Sequence, residues 1–186
     1  MVPPAVTRAL AAAAAAHLAS CATPAGAPVD ESAGRGEATV VFGVEPRYSV
    51  QIHQGWVDAD GWSHNRWFGA AATVSPQAGY AIVRLAPREG STYGIMRAHP
   101  DGTAGERYQA CTGDTVYTFT VPARAVVYLG NLFIEREARI RYSSDLQAAK
   151  KQLAAVRPDL AGRMVESEMK PLRLANFFCS RMTPSQ

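Results

Sequence analysis

Between residues 38 and 142 the chain alternates short apolar runs with turn residues. That rhythm restricts the possible folds more than any other feature. Residues 38–44 are apolar and β-branched. Tyr48, Val50 and Ile52 alternate with Ser49, Gln51 and His53, the period of a half-buried strand. Further runs cover 67–74, 80–85, 92–98 and 116–121; 125–134 is the longest and most apolar, as expected of a central strand. Between them fall Glu45-Pro46, Asp60-Gly61, Ser75-Pro76, Pro87, Pro100-Asp101-Gly102, Gly113-Asp114 and Pro122. About seven short strands so punctuated predict a mainly β fold, an antiparallel β-sandwich. A barrel is the neighbouring possibility.

The period then changes. Ser144 and Gln147 fit a capping box, with a helix starting near Asp145. Leu146, Ala149, Leu153 and Val156 share one face at helical spacing. Pro158 stops this helix and can open a second over 159–169, until Pro171. Residues 143–170 are thus expected to form one or two helices packed on the sandwich, with 172–179 returning to the sheet. The whole of 38–186 reads as one domain.

The first residues have a different character. Arg8 precedes an apolar run over 9–18, long enough for a secretory leader but shorter than the roughly 20 residues of a spanning helix. The run ends in Leu18-Ala19-Ser20-Cys21, which resembles the lipobox of bacterial lipoproteins. That resemblance implies removal of residues 1–20 as a signal peptide and acylation of the Cys21 thiol. Ala22, rather than Asp, follows the cysteine; in a Gram-negative cell the resemblance then implies the inner leaflet of the outer membrane, facing the periplasm. An ordinary cleaved leader, cut near Ala25-Gly26-Ala27, is the alternative. Residues 21–37 are rich in Ala, Gly and Pro and read as a lipidated flexible tether spanning on the order of 20 Å.

A second likeness covers about the last 70 residues. Val127-Tyr128-Leu129-Gly130, Ser144-Asp145-Leu146 and Arg157-Pro158-Asp159-Leu160 resemble motifs of uncharacterised small β-sandwich lipoproteins with a helical tail. It implies a fold and no activity.

Composition narrows the function classes. A net charge of +3 with 19% charged residues does not describe a nucleic-acid binder. No nucleophile elbow, zinc-protease helix, phosphate loop, dinucleotide fingerprint or C-x-x-C pair occurs in the sequence. His53, His64 and His99 lack the spacing of a local metal site, and no metal or cofactor is expected. Asp58-Ala59-Asp60-Gly61 opens like a calcium loop, but Gly69 stands where the twelfth-position acid belongs. Arg136, Arg139 and Arg141 alternate along a strand and read as its solvated face; anionic headgroups or wall polymer are the other possible neighbours.

Two constellations remain. All three tryptophans, Trp56, Trp62 and Trp67, lie within one short stretch. They form either a packed cross-strand cluster or an aromatic platform for a sugar or peptide. Once Cys21 is lipidated, Cys111 and Cys179 are an even pair in an oxidising compartment, expected to form a disulfide that pins the tail. The alternative is two buried thiols. The sequence therefore predicts a membrane-anchored, non-catalytic envelope protein with a structural or protein-interaction role. A carbohydrate- or peptidoglycan-binding module is the alternative, and an enzyme of unknown class the second. Its partners are the membrane, through the lipid, and an envelope protein or cell-wall glycan.

Overall fold

A computed structural model describes residues 36–65, 67, 69–100, 108–135, 139–177 and 179. The signal peptide, Cys21, most of the tether and Arg136 lie outside the described residues.

Two sheets stack face to face. The first has the order β10 (Arg139–Ser143), β9 (Val126–Glu135), β1 (Ala38–Glu45), β5 (Tyr80–Leu85), with β11 (Met164–Glu166) also on β9. The second runs β12 (Lys170–Arg173), β8 (Thr115–Phe119), β6 (Thr92–Pro100), β2 (Tyr48–Asp58), β3 (Gly61–His64). Short β4 (Ala72–Val74) joins β2, and β7 (Tyr108–Gln109) joins β6. The expected sandwich is present. Neighbouring strands are antiparallel except that β1 and β11 both pair parallel with β9.

Alternation explains how β1 is buried on both faces. Ala38, Val40, Phe42 and Val44 point into the core between the sheets. Val41 points the other way, into a second cluster with Val126, Tyr128, Ala149, Leu153, Leu160 and Met164. That second layer is where α1 (Leu146–Ala154) and α2 (Pro158–Ala161) cover the first sheet. The central strand β9 changes face midway. Val127 and Leu129 belong to the inter-sheet core, and so do Leu132 and Ile134. The switch falls at Gly130, whose φ of 93° no β-branched residue would tolerate.

Several boundaries differ from the sequence reading. Asp145, not Ser144, caps α1: its carboxylate accepts from the Ala148 amide at 2.9 Å. The Ser144 hydroxyl is bonded to Glu166 instead. The second helix is a single turn, because residues 164–166 find a better partner in the exposed edge of β9 than in continued helix across Gly162. Among the described residues of the run 67–74, Ala72–Val74 alone pair as a strand.

The second sheet curls strongly. Its two edges meet where Trp62 of β3 bridges Leu174, just after β12, so the sheet is nearly a closed barrel. One face, with Ile52, Tyr93, Ile95, Tyr117 and Phe119, lies against the first sheet; the Tyr117 ring stacks on Tyr142 at 5.7 Å. The other face turns inward around Trp62.

Candidate functional site

The hairpin of β2 and β3 turns at Ala59-Asp60. Asp58 stabilises it, accepting from the Asp60 amide and the Ser63 hydroxyl, each at 3.0 Å. Both carboxylate oxygens are thus committed to the turn, the role expected of a polar hairpin rather than a calcium loop.

Register separates the tryptophans. Trp56 stands opposite Ser63, and Trp62 opposite Val57. Cross-strand neighbours share a face, so Trp56 and Trp62 point to opposite sides of the hairpin. Trp62 is fully buried, with its indole N–H donating to the Thr92 hydroxyl at 2.7 Å. Its six-membered ring lies over Gly55 and Gly94, where an added Cβ would come within 2.6 and 2.7 Å of ring carbons. A platform containing Trp62 is therefore corrected: no ligand can reach that ring. Trp56 and Trp67 remain at the surface, 43% and 94% exposed.

A site that sequence spacing concealed sits on the inward face. His64 is opposite Gly55 and His53 opposite Gly94, so the two histidines are diagonal neighbours on adjacent strands. Their rings meet edge to face at 5.6 Å. Phe177 of the tail packs edge-on against His64 at 5.1 Å, and the Arg97 guanidinium lies 5.7 Å from the Phe177 ring centre. Both ring nitrogens of His53 are out of solvent and have no hydrogen-bond partner among the described residues. Burial, then the nearby His64 and Arg97 charges, lowers the His53 pKa to about 4. Its imidazole is neutral at ordinary pH. The eleven-residue separation of His53 and His64 in sequence gave no motif to read. His99 does not join them; it stands opposite Ser49, toward the other end of β6. Among the described residues, no group of three or more His, Cys, Asp or Glu side chains could hold a metal ion.

The tail covers this face through a ladder of bonds. The Ala175 amide donates to the Trp62 carbonyl at 2.9 Å. Asn176 takes the His64 amide on its side-chain oxygen and donates to the His64 carbonyl, at 2.9 and 3.1 Å. On the other side, Thr112 donates to Phe177 and Gly113 to Leu174. Cys111 and Cys179 are joined as a disulfide with their Cα atoms 5.6 Å apart, normal for such a bond.

Two surface clefts flank the sandwich, each of about 470 Å³. One, lined by Gly43, Pro46, Tyr80, Asn131 and Gln152 among others, lies beside α1. Tyr80 donates there to Gln152 at 2.7 Å. The other is formed by Val57, the 87–92 turn, Thr120 and Val121. It lies at the end of the sandwich where the described chain begins, because the Arg124 amide, three residues beyond Val121, donates to the Glu37 carbonyl at 3.1 Å.

The basic residues of β10 lie on the surface as a solvated face would. Arg141 meets Glu135 at 3.3 Å and covers the Phe133 ring at 4.0 Å.

No family model, no curated protein and no solved structure matches this chain.

Proposed function

We propose that the chain is a lipid-anchored envelope protein, tethered through Cys21, whose β-sandwich has a non-catalytic structural or partner-binding role at the membrane surface. The observation that carries this reading is the Cys111–Cys179 pair, which staples the C-terminal segment over the curled sheet. Disulfides persist in the oxidising compartments outside the cytosol. The leader that ends in Leu18-Ala19-Ser20-Cys21 would deliver the chain to such a compartment.

The arrangement suits a rigid display unit. Helices cover one sheet, the other curls around its own tryptophan, and the tail is bonded on both sides. Large apolar side chains then reach solvent at a few chosen places, Trp56, Val57 and Trp67 among them. Those side chains also keep a cell-wall glycan as the second reading, now with two aromatic rings rather than three.

Fractionation tests the anchor. Wild-type protein is expected in the membrane fraction and the Cys21→Ser variant in the soluble periplasm. Equal release of both would refute lipidation.

A further inference from the structure

The tether and the exposed hairpin leave the sandwich at the same end. Glu37, where the described chain emerges, is bonded to Arg124. The 121–124 turn leads back to Val121, which shares a cleft with Val57 and the 87–92 turn. Val57 is 52% exposed and its neighbour Trp56 43%, on opposite faces of the hairpin strand β2 beside its turn. Pro122 and Ala123 are exposed beside them. About fifteen residues separate Cys21 from Glu37, so an anchor at Cys21 would hold this end nearer the bilayer than the rest of the domain.

From this placement we infer that Trp56 and Val57 form a membrane-facing tip that dips into the lipid headgroup region and sets the orientation of the domain. Tryptophan suits that layer, since its ring is apolar and its N–H can remain hydrated. The charges nearby specify the lipid. Arg88 shares its turn with Glu89, and Arg124 on the 121–124 turn is offset by Asp58 and Asp60 on the hairpin turn, so the tip is not basic. It fits a zwitterionic surface and gains nothing from anionic headgroups. The orientation rests on the anchor reading, and the experiment below separates the two.

The test uses tryptophan quenching by bromine-labelled phosphatidylcholine in vesicles of phosphatidylcholine and phosphatidylethanolamine. Two preparations are compared. One is the mature protein purified from the envelope. The other is the Cys21→Ser chain without its leader, held by an N-terminal hexahistidine tag on nickel-chelating lipid, which tethers the same end whether or not lipidation occurs. In both, Trp67→Phe should keep nearly all the quenching and Trp56→Phe should lose most of it. Adding phosphatidylglycerol should not increase it. Lack of quenching in the tagged chain, quenching that survives Trp56→Phe, or a Trp56 response to peptidoglycan fragments but not to vesicles would overturn the inference. Quenching of the tagged chain together with a soluble, unlipidated native protein would instead remove the anchor and leave the tip standing.

Discussion

The ring of Trp62 rests on Gly94 so closely that a methyl group there would come within 2.7 Å of it. Glycine at 94 is therefore a packing requirement, and Trp62 is the plug around which the second sheet curls.

Replacing Trp62 by Ala should destabilise the fold by about 3–5 kcal/mol, as large-to-small changes in a core do. Gly94→Ala should also be costly, but far less so once Trp62 is Ala, because the clash has gone. Urea unfolding of the two single variants and the double variant measures this coupling. Additive effects would show that the two residues do not interact.

Gly130 makes a separate prediction. Its φ is 93°, and an added Cβ would meet the Tyr142 ring at 2.5 Å and the Ser143 carbonyl at 2.6 Å. Gly130→Ala should lower stability by at least about 1–3 kcal/mol, the range for a residue held in a disfavoured backbone region. A melting temperature like that of wild type would contradict this backbone conformation at Gly130.

His53 couples stability to pH. Its folded pKa, about 4, lies below the ordinary histidine value of 6.5. The unfolded chain therefore binds a proton first as pH falls, and stability is lost between pH 6.5 and 4. His53 as a residue is only half-buried, so the loss should be about 1–2 kcal/mol rather than the full shift. Urea midpoints at pH 7 and 4.5 would show it, and His53→Gln should flatten that difference. An unchanged slope in the variant would assign the pH dependence to other groups.

The strand pattern was readable because it depends on alternation that local sequence carries. β2 carries that alternation most plainly, whereas β1 and β9 are buried on both faces and were legible instead as apolar runs bounded by turn residues. What was hidden depends on register. Whether Trp56 and Trp62 share a face turns on a one-residue difference in pairing, and composition does not encode it. His53 and His64 become neighbours only once β2 and β3 are aligned. The strand at 164–166 was masked by helical spacing of Leu160, Met164 and Val165, and by an available edge of β9 that no local signal announces. Cys111 and Cys179 were legible for a different reason, since an even cysteine count depends on compartment rather than geometry.

The staple should matter most for the tail. Cys111→Ser with Cys179→Ser should cost about 2–4 kcal/mol, the usual range for closing a loop of this order. Amide exchange should accelerate first at Thr112, Gly113 and Ala175, whose bonds fix the tail to its neighbours. Unchanged exchange there would mean the hydrogen bonds alone hold the segment.

Mass spectrometry of unreduced mature protein taken from the cell envelope tests the central claim most directly. The account predicts a chain that starts at acylated Cys21, together with a linked Cys111–Cys179 peptide that resists alkylation until reduced. An unacylated chain starting beyond Ala27, with both remaining cysteines open to alkylation, would contradict it.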